Sequence, residues 1–546
     1  MHLHVFLVSL VSCSMSAIGP LNHAGDQAET ADARLESNPH QLHDVESSSV
    51  IPPANQGEKP DLQTLTWDGP DDPTNPVNWS KRRKWIVTGA ALFATLMACW
   101  NGTSITVAAG DINEQFGISD ATFPHSYWPV TSWSVGGAIF IILFLPLMED
   151  LGVRWGFMIT YAFFIIMIIP QAVAQNYATL IVTRFFSGGC ASLLANTIAS
   201  VIPDVWETEE ERSIPVGLYI LLYLMGSTLG PPVFGGVTQF LDTWRWIFYI
   251  QIIIYVALFP IFIYTVEETR GTVILRRRAK KLRKTTGKKI YTDTELNAPP
   301  IHSRLARSAT RPIMLLFTEP VLFASTLWSA FSFGTVFLFT QSVAQVFRDL
   351  YGWEEYSISY VQGAVVIGEI LGWFATLYGT HLFLKSASRN TECPGRPIPE
   401  ARLYVSIFGS FFGIVGGMFI YAWTSYPDLP WIAPSIGLAM VGFGIMTVVS
   451  AVADYITDAY AASDYAGSAI SAVAFGENNV AGFLPLAAQS MYTNLGFQWA
   501  STLLAFLALL LGIAPLVFVW KGRWFREKSP FMQSGGEVMK GQSEKS

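Results

Sequence analysis

Charge is scarce in this chain of 546 residues: only 14% are Asp, Glu, Lys or Arg, while 51% are hydrophobic. Soluble domains carry about a quarter charged residues, so a water-soluble multidomain protein is excluded first. Cysteine is scarce too. Cys13, Cys99, Cys190 and Cys393 show no metal-ligand spacing and two lie inside apolar runs, so neither a disulfide framework nor a metal site is expected, and all four read as packing residues. The GxxxxGK[ST] phosphate cradle is missing, which argues against an ATP-driven pump. HExxH and GxSxG are missing as well, so the chain reads as neither an enzyme nor a cofactor protein. The net charge of −7 hides short basic segments beside a mainly acidic first seventy residues, a pattern that does not suggest nucleic acid as a partner.

What is abundant is long apolar runs. A spanning helix needs about 20 apolar residues. Such windows fall at 85–107, 124–147, 155–174, 178–201, 213–238 and 244–266, then at 318–345, 357–382, 402–424, 431–456, 466–490 and 498–520. These predict an all-α polytopic protein of twelve transmembrane helices, whose immediate partner is the lipid bilayer. The spacing divides it into a disordered cytoplasmic tail (1–80), an N-terminal six-helix bundle (81–266), a basic cytoplasmic linker (267–311), a C-terminal six-helix bundle (312–520) and a second cytoplasmic tail (521–546). Residues 1–18 hold an apolar stretch too short to span, read either as a weak signal-like segment or as a gene-model artefact.

Basic flanks set the orientation. Lys81–Lys84, Arg154, Arg212, Arg276–Arg278, Lys385 and Arg526 share one face, whereas Asp111, Glu114, Asp120, Glu354, Glu355 and Asp428 share the other. Both termini are therefore expected inside, and the sequons at Asn78 and Asn101 then fall where no glycan attaches. The basic run of the linker reads as a topology anchor, with an anionic-lipid contact as the alternative.

Ionisable residues at bilayer depth are candidates for function by default. Glu369 and Glu477 lie about ten residues from the ends of their predicted helices, near the midplane at about 1.5 Å per residue, and Arg184 lies nearer the outer third. A buried carboxyl can carry a proton, and a cationic substrate competing for the same charge is the simplest basis for antiport. Arg184 would act as a countercharge. The plainer alternative is an interhelical hydrogen bond or ion pair. Asp454 reads as a solvated boundary residue. Trp100, Asn101, Gln362, Asn478 and Asn479 supply rings and amides for a cavity suited to bulky amphipathic solutes.

Several segments resemble the major facilitator superfamily, in particular its fungal twelve-span drug:proton antiporter branch, over about Asp71 to Pro530. The lead-in from Asp71 to Lys81 is similar, as is Arg184 followed by Gly188. GSTLGPPVFGG matches the antiporter motif at Gly226, Gly230, Pro231, Gly235 and Gly236. The loop between the second and third predicted helices, LPLMEDLGVR, departs from the family pattern: Glu149, Gly152 and Arg154 match in kind as a gating loop, but Leu145, Asp150 and Val153 do not. The resemblance implies two bundles built from inverted three-helix repeats around an alternately opening cavity. It also implies a monomeric exporter of drugs, polyamines or secondary metabolites driven by protons, in the plasma membrane or alternatively the vacuolar membrane. An uptake permease and a non-transporting sensor are the rival functions.

Overall fold

The computed structural model describes residues 63–533 apart from 122–123, 208, 242, 298–299, 391–396, 462 and 464. Cys13, Cys393 and the segment 1–18 lie outside the described residues, and Cys99 and Cys190 are buried free thiols.

Six helices form the N-terminal bundle: α1 Lys81–Phe116, α2 Trp128–Leu151, α3 Val153–Ala172, α4 Tyr177–Val205, α5 Glu209–Phe240 and α6 Trp246–Thr265. Six form the C-terminal bundle: α7 Pro320–Tyr351, α8 Gly363–Ser386, α9 Pro399–Thr424, α10 Ile432–Ala459, α11 (466–495) and α12 Phe497–Lys528. Among the described residues, eleven helices are long and apolar enough to cross a membrane. α11 falls short of that standard because Glu477, Asn478 and Asn479 interrupt its middle. The other helices turn Ile159, Ile166, Ile253, Phe374 and Leu510 outward, an arrangement that suits lipid rather than water.

The bundles meet along two seams, α2 against α11 and α5 against α8. Glycine lets backbones approach there. A Cβ on Gly235 would stand 2.5 Å from Ser359 Cβ, and one on Gly137 would stand 2.7 Å from Asn478 Oδ1.

The expected tail and linker hold more structure than their polarity suggested. Residues 1–62 lie outside the described residues, but 63–80 are ordered, which corrects the expectation of disorder there. Gln63–Thr64 pairs in parallel with Ile290–Tyr291, and Leu65 N–H donates to Tyr291 O at 2.8 Å. The Asp71–Lys81 segment is a knotted turn. Asp72 accepts from the Thr74 amide and hydroxyl at 2.9 and 2.6 Å, Asn75 caps a short 3₁₀ helix, and Asn78 Nδ2 donates to Pro70 O at 2.7 Å. Arg278 then binds both Asp72 (2.9 Å) and Asp68. These contacts, led by Thr74, hold the Asp72 carboxyl well below the usual carboxylate range.

Within the linker, Gly271–Thr286 and Ile301–Thr318 are helices. The second lies against both α2 and α11: Ser308 donates to Ile142 O at 2.8 Å, and Arg311 sits 4.9 Å from the Tyr465 ring. The Arg-rich helix therefore spends Arg278 and Arg283 on carboxylates of this chain, with Arg283 paired to Glu295 at 2.9 Å.

Candidate functional site

α5 is the element around which the candidate residues gather. Proline lacks an N–H, so Pro231 leaves the carbonyl four residues earlier, that of Ser227, without its helical donor. Thr103 of α1 supplies the replacement, its hydroxyl donating to Ser227 O at 2.7 Å. This contact needs α1 close by, and Gly230 permits it: a Cβ there would stand 2.2 Å from Thr103 Oγ1 and 2.6 Å from Ser104 N. Gly226 faces α1 in the same way, at Cys99 and Leu96. Gly235 faces Ser359 and Tyr356, just before α8, and Gly236 meets only Phe240 of its own helix.

On the opposite side of the same turn, Thr228 Oγ1 lies 2.7 Å from Glu369 Oε1 of α8. Glu369 is fully buried, and its Oε2 has no partner among the described residues. Thr228 gave no signal in the sequence, because its importance comes from a residue 141 positions away. Glu477 lies within the C-terminal bundle, where Ser329 donates to its Oε1 at 2.5 Å. It keeps 8% exposure against 0% for Glu369. That difference separates a sealed carboxyl from one that still touches open space.

Arg184 is not a countercharge to either glutamate. It donates to the carbonyls of Asn101 (2.6 Å), Gly102 (2.5 Å) and Pro129 (3.2 Å), so among the described residues carbonyls rather than a carboxylate hold it. The reason is local: α1 tightens to 3₁₀ over Ser104–Ala108, which releases carbonyls just before it, and the guanidinium takes them. Trp100 and Asn101 are absent from the lining of the cleft between the bundles and act as internal ties. Trp100 Nε1 donates to Tyr255 Oη at 2.5 Å, and Asn101 bonds Gln251 (2.6 Å) and Trp133 (3.1 Å), all inside the N-terminal bundle. Asn478 turns towards Gly137 of α2, and the Asn479 amide donates to Phe475 O in its own helix at 2.8 Å.

A cleft of about 670 Å³ opens between the bundles on the face opposite the linker. Gln362, Asp111, Asn113, Gln239, Gln341 and Arg348 are among its lining residues. Its floor is closed where Tyr127 donates to Phe337 O at 3.0 Å and Thr131 to Gly482 O at 2.9 Å. Below the floor, rings fill the space between the bundles. Tyr223 stacks on Phe333 at 5.4 Å, and Phe337 reaches Trp133 at 6.4 Å. None of these rings stood out in a sequence so rich in aromatics.

At the linker face, the loop between α2 and α3 is held by the linker. Gly152 has φ +86°, and a Cβ on it would stand 2.3 Å from Glu268 Oε2, so both the backbone and the space require glycine. Glu268 caps α3 by accepting from Val153 N–H at 2.9 Å. Glu149 sits in the last turns of α2, and Arg154 is half-buried, reaching Ile263 O at 3.3 Å. Asp150, which had not matched the family pattern, ties the loop down: its carboxylate pairs with Arg304 and its carbonyl takes Arg276 at 2.5 Å. Asp454 keeps 30% of its side chain exposed but is also tied down, since Arg402 bridges it (3.0 Å) and Asp458 (2.5 Å).

This two-bundle architecture can be set beside known proteins. The profile of the Major Facilitator Superfamily matches residues 91–484. The chain belongs to the major facilitator superfamily. Its similarity to fungal members runs nearly end to end. It is 32% identical to the MFS-type transporter paaT of Penicillium rubens over 86% of this chain and 83% of that one. It is 30% identical to the efflux pump atB of Aspergillus terreus over 93% and 96%, and 30% to the citrinin biosynthesis cluster MFS transporter mrr1 of Monascus ruber over 87% and 94%. Among solved structures, a bacterial homologue of the human lysosomal transporter Spinster, inward-facing and unoccupied, covers 83% of this chain and 100% of its own with a TM-score of 0.51 at 13% identity. That likeness concerns the fold alone. This superfamily protein is thus a multi-span membrane transporter and not an enzyme.

Proposed function

We propose that this transporter exports a small organic metabolite across the plasma membrane as a monomer, in exchange for protons, with the linker face cytoplasmic. One observation carries the proton part. Glu369 is sealed at the seam between the bundles, with one oxygen on the antiporter-motif turn of α5 and the other unpartnered. A carboxyl in that position can change charge only when the seam opens, so protonation and bundle movement are tied to one event. Glu477, with its residual exposure and the amide of Asn478 beside it, is the group on which a cationic or donor-bearing solute would rest. The names of the fungal relatives, an efflux pump and a biosynthesis-cluster transporter, support export of a metabolite over a polyamine.

The test uses a yeast host stripped of its own exporters, expressing wild type, Glu369→Gln or Glu477→Gln. Intracellular accumulation of a cationic dye, of spermidine and of a panel of fungal metabolites is followed at two external pH values. Export by proton exchange lowers accumulation more at acidic external pH, and Glu369→Gln removes that dependence. Accumulation that rises on expression would reverse the direction, and a pH-independent decrease would remove the proton.

A further inference from the structure

We propose that Thr228 transmits the protonation state of Glu369 to α5, by sending its single hydroxyl hydrogen to one of two acceptors. The proposal rests on the reading of Glu369 as the proton-carrying group. Thr228 Oγ1 has two partners within reach, Glu369 Oε1 at 2.7 Å and Leu224 O, one turn back in its own helix, at 3.2 Å. A hydroxyl owns one hydrogen and cannot donate it to both.

The choice follows the proton count on Glu369. An ionised carboxylate only accepts, so the Thr228 hydrogen must point at it, in a charge-assisted bond about twice as strong as a neutral one. When a proton adds to the carboxylate, the acid donates to Thr228 Oγ1 through its own O–H. The Thr228 hydrogen is then free for Leu224 O. The exchange balances: one proton enters on Glu369, one hydroxyl rotates, and the reverse rotation accompanies its release.

The consequence for α5 comes from where this happens. A Thr hydroxyl bonded to the carbonyl four residues back bends a helix. Here the bend would fall one turn before Pro231 and Pro232, where Ser227 O is already given to Thr103 of α1. Protonation therefore adds a bend to the stretch of α5 that touches both α1 and α8. Among the described residues, no other titratable group bonds Glu369. The α10 surface nearest this part of α8 consists of Ala439, Phe443 and Met446, around Gly368 and Gly372. The charged groups of the packed elements lie at their ends: Asp454 and Asp458 of α10 on Arg402, and Glu355, just before α8, on Arg348.

The full-length protein is made as wild type, T228V, T228S, T228A and E369Q. In the infrared spectrum of the purified protein, the protonated-carboxyl band absent from E369Q belongs to Glu369. That band is expected to shift in T228V and to keep its wild-type position in T228S. In cells, the ratio of dye efflux at about pH 5 to that at about pH 7 is expected to fall roughly fivefold in T228V and to be restored in T228S. A band and a pH ratio unchanged in T228V would overturn the proposal while leaving proton exchange intact. Wild-type efflux that ignores pH would instead overturn the reading of Glu369, and this proposal with it. If T228V does not fold, T228A replaces it. If both fail to fold while T228S folds, the hydroxyl is a structural tie and the proposal falls.

Discussion

The two bundles bury charge in opposite ways. In the N-terminal bundle Arg184 is fully enclosed and donates to three carbonyls, joined through Asn101 to Gln251 and Trp133. In the C-terminal bundle, among the described residues, Glu369 has one hydroxyl on one oxygen and no partner on the other, and Glu477 has one serine. A buried polar group that is fully satisfied fixes a structure, whereas one partly satisfied retains room for a second state. On the proposed reading of Glu369, the N-terminal bundle serves as the frame, and the exchangeable chemistry sits in its partner and at the seam.

Substitutions sharpen or break this contrast. The largest effect is expected at Glu369: Glu369→Gln should keep the folded yield but reduce acid-driven efflux at least about tenfold, because amide and neutral acid are alike in shape and only the acid exchanges a proton. A variant that retains acid-driven efflux would place the proton elsewhere. Arg184→Ala should act on stability, costing about 2–6 kcal/mol since the carbonyls of Asn101 and Gly102 lose their donor at about 1–3 kcal/mol each. The thermal midpoint of detergent-purified protein checks this, and loss of pH dependence at unchanged stability would reverse the roles of the two bundles. Glu477→Gln should weaken export of cations about threefold while sparing neutral solutes, as read from concentration dependence of efflux.

The smallest effect is expected outside the membrane. Arg278→Ala should loosen the 63–80 segment by about 1 kcal/mol or less, the scale of a partly exposed ion pair, seen as faster proteolysis near Asp68. Because the Asp72 carboxyl is held below its ordinary range, its contribution is present above the unfolded carboxylate value and is lost only as pH falls through the depressed one. Docking of this segment should therefore hold from about pH 5 to about pH 8. Release within that window would show that Asp72 is not the anchor.

Much of this was legible in the residues. Eleven apolar runs correspond to helices able to span a bilayer, and the six-plus-six division follows from the polar interval between them. The close approach at the glycines of α5 became visible only in the fold: Gly226 and Gly230, four apart on one helix face, both meet α1, whereas Gly236 meets only Phe240 of its own helix. The roles of individual polar residues were less legible. Trp100 and Asn101 looked like cavity groups and proved to be internal ties, while Asp150 looked like a mismatch and proved to hold the α2–α3 loop to the linker. Polarity at bilayer depth states that a partner is required, without saying which.

By itself, then, the sequence determined that this chain lives in a membrane and how many times it crosses, because run length and hydrophobicity are properties of one segment at a time. Only the tertiary structure decided that Arg184 serves the backbone of α1, that Glu369 meets Thr228 and that an acidic turn before α1 grips Arg278. Those partners stand 82 to 83, 141 and 206 to 210 residues apart in the chain, and which groups meet across such distances is set by how the bundles pack.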